Sequence, residues 1–375
     1  MRYCKKCLQP DTRPSIVFDE QGVCPACRFA EKTGAIDWAS RREELETIAD
    51  FGRKSNISGF DCIVGVSGGK DSTRQAIYVR DELGLHPLLV CCSYPPEQVS
   101  ERGVKNLSNL ISLGFDVTIV SPAPQTWKKL LRHSFIHFGN WCRSTEMALY
   151  ASAPRVAIAY QIPLIFLGEN PAITVGELGT GSTSGNANSM KNSNTIAGGP
   201  ESLGLGPDEL QKLFWYQYPT DTDMEMGELR IVYLGYYIKD FLKRENAEFS
   251  MARGMRVRHD PPEDIGDITG HEALDEDFVI PGQMMKYLKL GFGKVTDQVC
   301  EEIRLGRMSR EEGKRLVSLY DGGCATRFLE KFRNYMGLDQ EEFISVIEGF
   351  RNHEIWKRKP DGTWSLCVDF DNNPL

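Results

Sequence analysis

No stretch of the sequence approaches the roughly 20 consecutive apolar residues that a membrane-crossing helix needs. The opening residues, MRYCKKCLQP, hold no apolar core of a signal peptide, so a cytoplasmic protein is expected, with no membrane partner. Positive charge is also in short supply. Lys and Arg number 44 against 52 Asp and Glu, a net charge of −8. A chain gripping a long nucleic acid would more often be basic, so nucleic acid is not the expected partner. No internal repeat is present, which excludes solenoids and propellers. The 11 cysteines are an odd number, and without an export signal they are expected to stay reduced. What remains is a chain of 375 residues, 41% apolar and 26% charged, long enough for one α/β enzyme domain with attachments.

The first 45 residues carry paired cysteines, short turns and little periodicity, and run into a linking amphipathic helix with Asp37 at its N-cap. Residues 46–250 alternate apolar runs (DCIVGVS, HPLLVCCSY, FDVTIVSP, IPLIFLGEN, LRIVYLGYYI) with helical patterns. Near-continuous apolar strands separated by helices predict a parallel sheet covered on both faces. Residues 174–206 interrupt this pattern: 21 of the 33 are Gly, Ser, Thr or Asn. Such a segment is expected to be a flexible insertion, or a lid that orders over a substrate. Residues 251–352 read as a helical region, with a capping box from Ser309 to Glu312. Residues 353–375 read as a hairpin turned at Pro360-Asp361-Gly362.

Two short motifs carry chemistry. CKKC (Cys4, Cys7) and CPAC (Cys24, Cys27) each let two thiolates reach one ion. Their spacing is that of a zinc ribbon, with an iron–sulfur cluster as the rival reading, and four protein ligands predict a closed structural site. The second motif is SGGKDS, Ser67 to Ser72, where a strand gives way to a helix. It departs from a Walker A loop, having Val64 in place of the first glycine and Asp71 after the lysine. Its composition nonetheless suits a phosphate. Gly68 and Gly69 let backbone N–H groups approach an anion, Ser67 and Ser72 offer hydroxyls, Lys70 adds charge, and Asp71 suits a Mg²⁺ ion.

Strand–SGGKDS–helix resembles the PP-loop of the N-type ATP pyrophosphatases, an adenine nucleotide alpha-hydrolase-like α/β fold. That resemblance implies ATP and Mg²⁺ as cofactors. Residues Ser67, Gly68, Gly69, Lys70, Asp71 and Ser72 would contact the β- and γ-phosphates, Lys70 and Asp71 would serve catalysis, and Cys92, Ser93 and Tyr94 would lie near adenine. Gly168, Glu169 and Asn170 fall where the fourth strand ends, the edge at which open α/β sheets bind ligands. Thiolases of this group carry two working cysteines, and only Cys142 stands in a suitable motif here. Ammonia is therefore the expected nucleophile. No glutaminase motif is visible: Arg2 follows Met1, and GGCAT around Cys324 lacks the last glycine of a nucleophile elbow. The ammonia is thus expected from a separate glutaminase subunit.

Together CKKCLQPDTRPSIVFDEQGVCPAC, GVSGGKDS, LGEN and YLKLGFGKVTDQVCEEIRLGRMSREEGKRLVSLYDG resemble the N-acetyl sugar amidotransferases of bacterial surface-glycan pathways, including lipopolysaccharide O-antigen and pseudaminic acid synthesis. The resemblance implies conversion of an acetamido to an acetamidino group on a nucleotide sugar, such as a UDP-diacetamido-dideoxy-mannuronic acid. The acceptor's negative charges would need partners, for which Gly291, Gly293 and Lys294 of GFGK, with Cys142 and Arg143, are candidates. A tRNA-modifying PP-loop ligase or thiolase is the alternative. His133 and His137, four apart, and the acidic turn with Asp221, Asp223 and Glu225 read as structural, with a metal role as the second option for each.

Overall fold

The computed structural model describes residues 1–168, 176, 184–192 and 195–373. Five short strands form one parallel sheet: β1 Cys62–Gly65, β2 Pro87–Cys92, β3 Asp116–Val120, β4 Leu164–Leu167 and β5 Arg230–Tyr233, in the order β3-β2-β1-β4-β5. All four pairings are parallel. Alternate residues bury on opposite faces. Ile63, Leu88 and Ile165 enter one apolar cluster, while Cys62, Val64, Leu89 and Phe166 enter the other. That two-sided burial is why β1, β2 and β4 read as unbroken apolar runs, while the edge strands β3 and β5 are partly exposed.

Four helices come first: α1 Pro25–Lys32, α2 Trp38–Lys54, α3 Lys70–Asp81 and α4 Glu101–Ser112. Helices α2, α3 and α4 cover one face through Leu45, Ala76 and Leu110. The opposite face is covered by α5 Pro124–Phe138 and α6 Cys142–Tyr160, through Trp127, Leu131 and Ala157. β1, β2 and β3 advance one way across the sheet, and β4 and β5 the other. The direction reverses between β1 and β4, which creates a crevice at their carboxyl ends.

The rest of the chain is helical: α7 Lys243–Met251, α8 Val279–Leu290, α9 Lys294–Arg304, α10 Arg310–Tyr320, α11 Thr326–Met336 and α12 Gln340–Gly349. Two strands, β6 Trp356–Arg358 and β7 Trp364–Leu366, form the expected antiparallel hairpin, with Gly362 at φ +86° in its turn. The cysteine-rich segment is not autonomous. Cys4, Cys7, Cys24 and Cys27 share an apolar cluster with Val295, Val299 and Val317 of α9 and α10. No helix among the described residues is long and apolar enough to cross a membrane.

The Gly/Ser/Asn-rich insertion departs from the expectation of a floppy segment over part of its length. Ala187, Met190, Ile196 and Leu203 are buried in the main core. The Ala187 N–H donates to the Ile231 carbonyl at 2.8 Å, and the Tyr233 N–H donates to the Gly185 carbonyl at 2.8 Å. The Asn188 side chain accepts from the Ile231 N–H at 2.7 Å and donates to the Leu229 carbonyl at 3.0 Å. A polar stretch thus satisfies the open edge of β5, a need that hydrophobicity does not register.

Candidate functional site

The Ser67–Ser72 turn leaves β1 at the reversal point and feeds α3. Gly68 has φ +83°, and a Cβ there would lie 2.8 Å from the backbone of both Asn106 and Leu107 on α4. Only glycine lets the turn run this close to that helix. Gly69 caps α3 with φ −75°, and no side chain caps the helix, so its positive end opens into the crevice. The turn is held from within: the Ser67 N–H donates to Ser72 Oγ at 3.4 Å, and Ser72 Oγ donates to the Gly69 carbonyl at 3.2 Å.

Lys70 is buried, with Nζ 2.8 Å from Asp71 Oδ2. Burial alone would depress its pKa, but Asp71 and Glu272 beside it raise it above the usual lysine value, so it stays charged. Helix α7 fixes both residues. Asn246 Nδ2 donates to Asp71 Oδ1 at 2.7 Å, and Ser250 Oγ donates to the Lys70 carbonyl at 2.8 Å.

A cavity of about 330 Å³ opens over this turn. Ser67, Gly69, Lys70, Asp71 and Ser72 form its polar floor, and Val90, Cys92, Ala153, Ile165 and Leu167 an apolar wall. Gln75, one helical turn beyond Asp71, is fully buried in that wall. Its Nε2 donates to the Phe166 carbonyl at 2.8 Å, while Oε1 has no hydrogen-bond partner among the described residues. Glu146 of α6 also lines the cavity, and burial raises its pKa.

The remaining wall is a strap, residues 271–277 (HEALDED), which sequence reasoning missed. His271, Ala273, Leu274 and Asp275 face the cavity. The strap lies against the start of α4, where the Ser100 N–H donates to the Asp275 carbonyl at 2.8 Å and Ser100 Oγ to the Leu274 carbonyl at 2.9 Å. A Cβ at Gly103 would lie 2.6 Å from Asp275 Cα, so a glycine permits this contact too. Glu272 sits 3.4 Å from Lys243 and 3.6 Å from Lys294. Burial works against its charge, but Lys243, Lys294 and Lys70 hold its carboxyl well below the usual range. Burial raises Asp275, and burial together with Asp275 pushes Glu276 up to about 8. The only sequence signal for the strap was an acidic run with a histidine and no apolar period.

Several expected contacts lie elsewhere. Gly168 lines the cavity; Glu169 and Asn170 lie outside the described residues. Cys92 supplies the wall at the end of β2. Ser93 Oγ instead donates to the Tyr94 carbonyl at 3.0 Å, and Tyr94 packs edge-on against Trp127 at 5.5 Å. Cys142 opens α6 one turn before Glu146, and burial, with Glu146 and Glu276 nearby, pushes its thiol pKa up. Arg143 lies over the Phe138 ring at 4.4 Å, away from the cavity wall.

The GFGK turn is closed to an outside anion by the chain's own carboxylate. The Gly293 N–H donates to Asp321 at 2.7 Å, the Val295 N–H at 3.0 Å and Thr296 Oγ1 at 2.6 Å. Gly291 ends α8 at φ +75°, facing Met1, Ile355 and Leu366. Neither glycine therefore meets the cavity, and Lys294 is engaged with Glu272. The acidic turn does not line the cavity either: Asp221 pairs with Lys191, and Asp223 caps the turn at Thr220. His133 bonds the Leu203 carbonyl at 2.8 Å, and among the described residues no metal-ligand cluster includes it.

In the N-terminal segment, Cys4 and Cys27 Sγ are 3.9 Å apart and Cys7 and Cys24 Sγ 3.7 Å apart, with all four within 4.8 Å of one another. Four thiolates about 2.3 Å from a central ion sit about 3.8 Å apart, so the set fits zinc. The Gln9 N–H donates to Cys7 Sγ at 3.4 Å and the Cys24 N–H to Cys4 Sγ at 3.2 Å, which orients the sulfurs.

Residues 276–370 match the family model described as LPS biosynthesis protein WbpG-like, C-terminal domain. The similarity ties this region to proteins of LPS biosynthesis. It starts at Glu276 on the strap and takes in Lys294, Asp321 and the hairpin, but not the Ser67–Ser72 turn. No curated protein matches the chain.

Proposed function

We propose that the protein is the synthetase subunit of an ATP-dependent amidotransferase of LPS biosynthesis. It would form an acetamidino group on a nucleotide sugar, such as a UDP-diacetamido-dideoxy-mannuronic acid, with ammonia from a separate glutaminase. One observation carries the reading: the uncapped N-terminus of α3, with Gly69, Lys70 and Ser72, forms the polar floor of a cavity whose opposite wall is apolar. That combination suits a triphosphate at one end and an adenine ring at the other.

The acceptor's acetamido oxygen attacks the α-phosphorus of ATP, and pyrophosphate leaves. Ammonia then adds to the activated carbon, and the oxygen departs with AMP, leaving C=NH where C=O stood. Charge grows on the departing pyrophosphate. The α3 N–H groups and the Lys70 ammonium, fixed by Asp71 and through its backbone by Ser250, meet it without rearrangement. A magnesium ion bound with the nucleotide supplies further positive charge there, and Asp71 is the carboxylate on the cavity floor that would hold it. Zinc at the four cysteines has a structural role and takes no part in the chemistry.

Lys70→Ala and Asp71→Ala should each abolish acceptor-dependent pyrophosphate release while leaving zinc content unchanged. Turnover retained by both variants would remove this turn from the mechanism.

A further inference from the structure

With GFGK closed by Asp321, the acceptor's charges need another partner. A second cavity, of about 720 Å³, lies on the far side of the strap, between the start of α4 and residues 255–259. Four cationic side chains line it, Arg102, Lys105, Arg256 and Lys331, against two carboxylates, Glu101 and Asp277. The wall thus holds a surplus of two positive charges on a chain whose net charge is −8. Asp277 is shared three ways. Arg102 lies 3.2 Å from it, Lys331 3.1 Å, and Arg258 beneath the wall 2.8 Å. Burial and the neighbouring Arg258 depress the Arg102 pKa, as expected where cations outnumber their counter-ions. The Arg256 backbone is tied to α4 by its N–H, which donates to Asn106 Oδ1 at 2.8 Å, while its side chain is exposed at the cavity.

The two cavities share one wall. Asp275 faces the first and Asp277 the second. Two residues of chain separate their Cα atoms by at most about 7 Å. The two cavities therefore lie close together, on either side of the strap.

We propose that the second cavity binds the diphosphate of a nucleotide-linked sugar, with Arg256, and with Lys331 and Arg102 that share the single carboxylate of Asp277, as its cationic partners, Lys105 being paired with Glu101. The inference rests on the reading of the acceptor given above. Its volume is that of a small-molecule site, and its surplus charge matches a diphosphate. A long polyanion would need a continuous basic surface, which a chain with this net charge does not favour.

The test is calorimetric titration of the full-length protein with UDP, and separately with α,β-methylene-ATP, which cannot be cleaved at the bond in question. Arg256→Glu and Lys331→Glu, both at surface positions, are the variants. UDP is expected to bind protein already saturated with the ATP analogue, and each substitution should weaken UDP at least tenfold with the analogue's affinity held within twofold. Displacement of UDP by the analogue, indifference of UDP to both substitutions, or no UDP binding would overturn the site. Binding of the analogue without UDP would sink this site alone. Arg256-dependent UDP binding without analogue binding would sink the adenylation reading and leave this site standing.

Discussion

The two glycines of the Ser67–Ser72 turn should respond oppositely to the same added methyl group. In Gly68→Ala the new Cβ falls 2.8 Å from two backbone atoms of α4, where neither neighbour is a side chain that can swing away. Relieving the overlap means parting the turn from α4, an overpacking penalty of about 1–3 kcal/mol. The φ of +83° adds about 1–2 kcal/mol for a residue with a side chain. The expected loss of stability is therefore about 2–5 kcal/mol, read as a lower urea midpoint. Gly69→Ala is the contrast. Its φ is an ordinary −75°, and the nearest atom to its Cβ is Ser67 Oγ at 3.4 Å. The fold should tolerate it at a cost below about 1 kcal/mol. That methyl group, however, projects where phosphate oxygens would approach the α3 N–H groups, so binding of α,β-methylene-ATP should weaken by at least tenfold, about 1.4 kcal/mol. An unchanged urea midpoint for Gly68→Ala would refute the packing argument. Full affinity for the analogue in Gly69→Ala would refute the placement of phosphate.

Three other outcomes follow from the geometry. Glu276, raised to about 8, contributes stability that is present below the usual carboxylate value of 4.5 and is lost as pH climbs through about 8. Over that window the loss is about 1.4 kcal/mol per pH unit. Glu276→Gln should flatten the decline in urea profiles, and parallel profiles would contradict it. Cys4→Ser should lower bound zinc and solubility together, and a stable, metal-free variant would rule out a structural metal site. Asp321→Ala leaves the N–H groups of Gly293, Val295 and Thr296 unpaired and should cost about 2–4 kcal/mol in the same assay. A neutral result would mean that another group satisfies that helix start.

The parallel sheet was legible because its inner strands, buried on both faces, leave unbroken apolar runs, and the SGGKDS turn because paired glycines mark a tight strand-to-helix corner. The cysteine pairs spoke for themselves through spacing. What escaped depends on partners distant in the chain. Asn246 and Ser250 fix the Ser67–Ser72 turn from 175 and 180 residues away, with nothing in their own neighbourhood to announce it. GFGK has the look of an anion site because it is one, but its anion is Asp321, 28 residues further on. Residues 174–206 looked too polar to order, and the structure describes part of them, residues 176, 184–192 and 195–206. That part gains its place from hydrogen bonds to the edge of β5 and from four well-spaced apolar side chains, which a compositional count averages away.

The central claim is adenylation of a sugar amide, and pyrophosphate release tests it most directly. ATP, Mg²⁺ and ammonium chloride are supplied with and without a UDP-diacetamido uronic acid, and the sugar is then weighed by mass spectrometry. The account predicts pyrophosphate only when the sugar is present, with a mass change corresponding to oxygen replaced by NH. Pyrophosphate release indifferent to the sugar, or a sugar of unchanged mass, would contradict it and make bulk tRNA the next acceptor to try.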